Sequence, residues 1–247
     1  MTDAADRQAH FLLRGVGKAI RTYGMLRDGD RVAVALSGGK DSLALLELLD
    51  RWRQVSGVTY DLCAIHVRGD ALGVTPAHAP LEEWLAGRNL PHRTVAPDLD
   101  AGDAPPLGCQ RCTWLRRKAL FQAAGELDCN VVAYAHHADD AAQTLLLNLF
   151  YGGSVHTLAP SASYFRGRFR LVRPLILTPE SEIARFGRAC GFPAPPPACR
   201  RGADSRRAKV GQMLRLLGPD YLRQVRANLL RVGLAGYDDG GDLDGAS

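Results

Sequence analysis

Arg31-Val32-Ala33-Val34-Ala35-Leu36-Ser37-Gly38-Gly39-Lys40-Asp41-Ser42-Leu43-Ala44-Leu45-Leu46 is the stretch on which the fold turns. Its first six residues follow a turn at Asp28-Gly29-Asp30 and read as a short apolar strand. Ser42 to Leu49 reads as a helix. Between them stands a polar loop with a glycine pair. A loop in that position lets backbone N–H groups converge on an anion, and the helix dipole adds to the attraction. Lys40 supplies a mobile charge for phosphate. Asp41 can hold Mg²⁺. A Walker A loop would need glycine at position 34 and Ser or Thr at position 41, but Val34 and Asp41 stand there.

The same alternation continues downstream. Strands are expected at 62–67, 92–95, 130–135 and 169–177, the last interrupted at Pro174. Helices are expected at 7–24, 77–88, 112–127, 139–150, 179–190, 205–217 and 219–231. Strands alternating with helices imply an α/β fold, a doubly wound parallel sheet with helices on both faces. In such sheets ligands bind beyond the carboxyl ends of the strands. Ser37–Ser42 and Ala135-His136-His137-Ala138-Asp139-Asp140 both fall there.

At 247 residues the chain suffices for one such domain with modest extensions. No uncharged apolar run is long enough to span a membrane, and the polar N-terminus lacks a signal-peptide core. A cytoplasmic protein with no membrane partner is the expectation. The net charge of +5 mildly favours a polyanionic partner. Basic residues gather at Arg111, Arg116, Arg117 and Lys118, at Arg166, Arg168, Arg170 and Arg173, and at Arg200, Arg201, Arg206, Arg207 and Lys209. Each group alone could be a solvated face; together they suit phosphate-backbone contacts.

Six cysteines in a chain of this length do not form a disulfide scaffold. Cys63, Cys129 and Cys190 read as packing. Cys109-Gln110-Arg111-Cys112 opens a helix, and Cys199 ends a proline-rich loop among polar residues. Zinc, a redox dithiol, packing and an iron–sulfur cluster all remain open for the CxxC. Three cysteines would suit a 4Fe-4S cluster with one iron lacking a protein ligand. His136 and His137 are adjacent, and as strand-end neighbours would point in opposite directions, so joint metal ligation is not expected. Asp139 reads equally as a helix N-cap. His66 ends the second strand, either as a nucleotide contact or as a surface histidine.

Ser37-Gly38-Gly39-Lys40-Asp41-Ser42 resembles the SGGxDS loop of the PP-loop ATPase superfamily. That resemblance implies a grip on the β/γ pyrophosphate of ATP and attack at the α-phosphorus. The chain also resembles the tRNA 2-thiocytidine synthetase family over roughly residues 11–215. The resemblance rests on Arg14-Gly15-Val16-Gly17-Lys18, Cys109-x-x-Cys112 with Leu115-Arg116-Arg117, Ala135-His136-His137-x-Asp139-Asp140, Asn148 to Gly153 and Val172-Arg173-Pro174-Leu175. It implies an ATP-dependent tRNA sulfurtransferase that forms AMP and pyrophosphate. ATP, Mg²⁺ and a 4Fe-4S cluster are the implied cofactors; tRNA and a sulfur donor, a cysteine desulfurase or sulfide, are the implied partners. Members of that family are often homodimers. Cys109, Cys112 and Cys199 match its cluster ligands; Arg116 and Asp140 match a basic position and an aspartate of related tRNA uridine thiolases, the first as arginine, and with Asp41 they are the implied catalytic residues. Ser37 to Ser42, His66 and Ala135 match its ATP contacts. The implied organisation is an N-terminal helical segment (1–30), a PP-loop domain with the iron–sulfur site (31–235) and a disordered acidic tail (236–247). The chain departs from the family at Arg200-Arg201-Gly202, which replaces a glycine-serine-glutamine, and at Val67-Arg68-Gly69-Asp70. A PP-loop enzyme acting on another RNA base or a small molecule with a zinc-bound CxxC is the alternative; a non-catalytic RNA-binding or sulfur-carrying protein is a third reading.

Overall fold

A computed structural model describes residues 3–69, 78–197 and 205–237. Six strands form one sheet in the order β3-β2-β1-β4-β6-β5. They are β1 (Asp30–Leu36), β2 (Tyr60–Val67), β3 (His92–Val95), β4 (Val131–Ala133), β5 (Ser161–Tyr164) and β6 (Phe169–Val172). The first five in spatial order pair in parallel, and β5 runs antiparallel to β6 at the edge.

Alternation along the strands sorts the two faces. Val32, Val34 and Leu36 of β1 join one core with Leu62, Ala64, Val131 and Ala133. Helices α1 (Asp3–Thr22), α2 (Lys40–Val55), α3 (Ala79–Ala86) and α6 (Glu180–Cys190) cover that face. Ala33, Ile65, Val67 and Val132 point the other way, against Ala119 to Ala124 of α4 (Cys109–Glu126). Ala9, Leu12, Val16 and Ile20 of α1 are buried in the same core as β1, so α1 packs as part of the sheet's cover. Helices α5 (Ala138–Gly152), α7 (Arg206–Arg215) and α8 (Gly218–Gly233) pack together at the carboxyl end of β4.

The structure revises several expected elements. Helix α4 begins at Cys109, three residues before the expected start, because Gly108 serves as its N-cap. The strand expected over 169–177 stops at Val172. Pro174 has no N–H for a ladder, and Ile176 and Thr178 donate back to Arg173 and Leu175 in turns. Strand β5 was not anticipated: Ser161-Ala162-Ser163-Tyr164 carries little apolar pattern and is held by its pairing with β6.

Candidate active site

The carboxyl ends of β1 and β4 lie side by side. Ser37-Gly38-Gly39 leaves β1 and enters α2 with Gly39 as N-cap. Gly38 has φ +82°, where a side chain is strained. Ser42 ties the loop together: its Oγ donates to the Gly39 carbonyl at 2.8 Å and accepts from the Ser37 N–H at 3.2 Å. Gly39 N–H donates to Ser37 Oγ at 3.2 Å. The Ser42 and Leu43 N–H groups donate to the Gly39 carbonyl at 3.1 and 3.2 Å, which leaves the Lys40 and Asp41 N–H groups at the start of α2 for an anion.

A cavity of about 390 Å³ opens above this loop. Ser37, Asp41, Ser42, Ala135, His136, Tyr134, Arg116 and Arg117 are among its walls. Asp41 Oδ2 accepts from Lys40, but Asp41 Oδ1 is buried with no hydrogen-bond partner. An orphaned carboxylate oxygen beside phosphate-binding N–H groups fits a hard divalent cation. Lys40 itself reaches Glu180 at 2.7 Å. Burial works against its charge, but Glu180 and Asp41 outweigh that and raise its pKa. A proline-rich strap crosses the loop. Pro196 would lie 2.8 Å from a Cβ at Gly38, and His78 Nε2–H donates to the Ala194 carbonyl at 2.8 Å.

The far wall is built from the strand-four segment. Tyr134 and His136 stack, with centroids 5.6 Å apart and planes at 8°. Arg173 Nε donates to His136 Nδ1 at 3.2 Å, so the ring proton sits on Nε2. Burial and the Arg173 charge push His136 down to about 4, and the imidazole is neutral at pH 7. His137 is the N-cap of α5. Its Nδ1 accepts from Asp140 N–H, and Asp140 Oδ2 accepts from His137 N–H, a reciprocal capping box. Asp140 also holds Arg207 at 2.8 Å. Asp139 accepts from the Glu180 N–H at 2.7 Å and from Arg226 at 2.8 Å, so it latches α6 and α8 to α5 instead of capping its own helix.

Helix α4 links this cavity to the cysteines. Cys109, Cys112 and Arg116 stand at i, i+3 and i+7 on one helical face. Cys109 is exposed and Cys112 half-buried. A smaller cavity of about 100 Å³ is lined by Cys112, Arg68 and Arg116, and Arg116 also lines the larger one. One guanidinium therefore forms the partition between the thiol and the phosphate loop. Arg68 Nε is buried there without a partner. Two thiols on one face beside two cations fit an anionic metal–sulfur group. No group of three metal-ligating side chains forms among the described residues. Cys199, the third expected ligand, lies outside the described residues, as do Arg200 and Arg201.

A family model described as the PP-loop domain matches residues 14–192. The chain belongs to the PP-loop family. Within it, the chain falls among proteins named tRNA-cytidine(32) 2-sulfurtransferase. The one from Syntrophotalea carbinolica is 34% identical over 91% of this chain and 88% of its own length. The one from Sodalis glossinidius is 40% identical over 83% of this chain, which spans 59% of that relative's length. Among solved structures, the U34-tRNA thiolase NcsA from Methanococcus maripaludis with its 4Fe-4S cluster superposes with a TM-score of 0.69. It is 22% identical, covering 92% of this chain and 80% of that one, and shares the fold.

Within the PP-loop frame, some sequence-derived residues converge and others do not. Ser37, Asp41, Ser42, Ala135 and Arg116 meet at one cavity. His66 is buried rather than on the surface and does not line it; its Nδ1–H donates to the Leu36 carbonyl at 2.9 Å, tying β2 to the end of β1. Burial lowers the His66 pKa, so it holds this bond as the neutral ring. The arginines at 166, 168, 170 and 173 do not form one surface. Arg170 is paired with Asp30 and Arg173 is turned onto His136, leaving Arg166 and Arg168 exposed. Arg111 is neutralised by Asp100 and Asp103. Tyr134 and Arg173 escaped the sequence reading as site residues; the apolar strand-end position of the first and the arginine-proline context of the second gave no local sign of it. No described helix is long and apolar enough to cross a membrane.

Proposed function

We propose that the chain is an ATP-dependent tRNA thiolase that converts a cytidine to 2-thiocytidine. The observation that carries the reading is the single Arg116 partition between the thiol cavity and the phosphate loop. It brings an adenylating pocket and a sulfur-bearing pocket within one side chain of each other. The names of the relatives support tRNA as the substrate.

The phosphate loop and the first turn of α2 hold the ATP phosphates, and Asp41 Oδ1 offers a ligand to Mg²⁺. Bound ATP would adenylate the C2 oxygen of the base with release of pyrophosphate; a 4Fe-4S cluster held by the cysteines would supply sulfide-level sulfur, which takes the place of that oxygen as AMP leaves. Arg116 stabilises the charge that develops between the two pockets. Asp140 holds the strand-four turn beside the cavity in place through its capping box with His137. Cys109, Cys112 and Cys199 would hold the cluster, and free sulfide would recharge it, as would the persulfide of a cysteine desulfurase once a thiol reductant supplies two electrons. A homodimer is the proposed assembly.

The test is iron, acid-labile sulfide and zinc on protein purified without oxygen, beside Cys199→Ala. About four irons and four sulfides per chain, lost in the variant, are expected. With that protein, ATP and sulfide, tRNA nucleosides are then digested and weighed for 2-thiocytidine. Zinc in place of iron, or metal indifferent to Cys199, sinks the cluster chemistry. A loaded protein that leaves every tRNA cytidine unmodified sinks the acceptor.

A further inference from the structure

Outside the site, α4 and the β5–β6 turn enclose a second groove of about 570 Å³. Its walls include Trp114, Arg117, Lys118, Phe121, Phe165 and Arg168. Arg117 also lines the cavity above the phosphate loop. One side chain thus separates this groove from the reacting site.

Flat rings and cations dominate it. Trp114 and Phe165 are 49% and 62% exposed. Phe165 is braced by edge contacts to Phe121 and Phe169, with centroids 5.2 and 5.9 Å away. It is carried on a turn in which Phe165, Arg166 and Gly167 all have positive φ, at 54°, 56° and 84°. Only the last has glycine's freedom, so the turn holds two strained residues to keep Phe165 at the surface. Gly125 leaves space on α4 for Arg168, whose guanidinium would lie 3.1 Å from a Cβ there and sits 5.4 Å from the Phe169 ring. Arg117, Arg166 and Arg168 have no carboxylate partner among the described residues. Glu126, the acid on the rim, is already paired with Arg93 at 2.6 Å.

We infer that this groove takes an unpaired nucleotide of the RNA substrate, its base stacked on Trp114 and Phe165 and its phosphates met by Arg166 and Arg168. The inference rests on the tRNA reading above and adds where the RNA lies. Trp114 already carries Arg111 and Lys118 over its ring at 4.6 and 5.3 Å, a ring–cation arrangement that, with the exposed Phe165 and arginines lacking a carboxylate partner, matches single-stranded nucleic acid, because every base has a π-face to stack. A duplex keeps its bases stacked on one another and offers no free face. The shared Arg117 puts the stacked nucleotide next to the base being modified.

The test uses the full chain, a labelled anticodon stem-loop RNA and a blunt duplex of the same stem. Trp114→Leu keeps apolar bulk without the aromatic face, and Trp114→Phe keeps a ring. Leucine is expected to weaken hairpin binding about tenfold, with phenylalanine recovering most of it. Hairpin, not duplex, should quench tryptophan fluorescence, and Trp114→Phe should abolish the quench. Arg168→Gln should lower the slope of log affinity against log salt by about 0.7. Wild-type hairpin binding unchanged in Trp114→Leu and Arg168→Gln would overturn the groove and leave the tRNA reading standing. Equal loss of duplex and hairpin binding would overturn it too, since no stacked base would be needed. Absence of hairpin binding by the wild-type protein would sink the tRNA reading itself.

Discussion

The Lys40 ammonium lies 2.7 Å from the Glu180 carboxylate, across the gap between the phosphate loop and the first turn of α6. A lysine placed for phosphate is therefore already engaged, and ATP must draw it away. Both side chains are well exposed, so the pair contributes only about 0.2–1 kcal/mol. Glu180→Gln should free Lys40 and remove a repelling charge. The KM for ATP, read from pyrophosphate release, should fall by roughly two- to fivefold with little change in kcat. A raised KM would mean that Glu180 helps to place the phosphates.

Gly38 has no room for a side chain. At φ +82° alanine is strained, and its Cβ would meet Pro196 at 2.8 Å and Leu81 at 3.4 Å. Gly38→Ala should therefore distort the phosphate loop or lift the proline strap. ATP-dependent pyrophosphate release should drop by about tenfold or more, while the melting temperature falls by only a few degrees, the effect of roughly 1–2 kcal/mol. Unchanged ATP kinetics would show that the strap yields freely.

Asp140 has a structural task that must be separated from any chemical one. Asp140→Ala loses the capping box and the Arg207 contact, and should cost roughly 1–2 kcal/mol, about 2–8 °C in melting temperature. Asp140→Asn keeps an acceptor for the His137 N–H and should melt closer to the wild type. Thiolation lost in the asparagine variant at preserved stability would assign the charge to the reaction; full thiolation in Asp140→Ala would remove the residue from it.

The same carboxylate sets an acid limit. Burial opposes its ionisation, but His137 and Arg207 more than compensate and hold its pKa below the ordinary carboxylate range. A depressed folded pKa gives stability that is complete above the unfolded value, about 3.9, and is lost as pH falls through the folded one. Denaturant titrations of wild type and Asp140→Asn should differ by a constant amount near neutrality and converge below about pH 4.

His136 titrates far from a free imidazole. With its folded pKa near 4 and an unfolded value near 6.5, the unfolded chain takes up the proton first as pH falls. Its stabilising effect is complete above about pH 6.5 and declines between there and pH 4. NMR of ring-labelled protein should show His136 chemical shifts flat from pH 8 to about 5. A midpoint near 6.5 would mean that the ring is neither buried nor faced by Arg173 in solution.

The phosphate loop was legible in the sequence because everything it needs is local: an apolar strand, a glycine pair and a helix start within sixteen residues. The two-faced sheet was legible because strands and helices alternate along the chain. The rest depended on distant partners. Arg170 looked like part of a basic surface until Asp30, 140 positions away, took its charge. Arg173 and His136 are 37 positions apart, and neither residue's neighbours announce the bond. Asp139 seemed a cap, but the cap is His137, and Asp139 is committed to α6 and α8. Strand β5 has almost no apolar signature, because an edge strand needs only one neighbour to complete its ladder.

The edge position of the β5–β6 ribbon has an evolutionary consequence. Strands β1 and β4, which carry the chemistry, are central and cannot change without repacking both layers. The ribbon's turn at 165–168 sits at the sheet's edge and packs on α4 through Phe165 against Phe121 and Arg168 beside Gly125. On the RNA groove inferred above, exchanges at this turn would retune which nucleotide is admitted and leave the phosphate loop as it is. Closely related chains should diverge in choice of RNA by exchanging this turn, and a graft of residues 165–168 between them should carry the preference along.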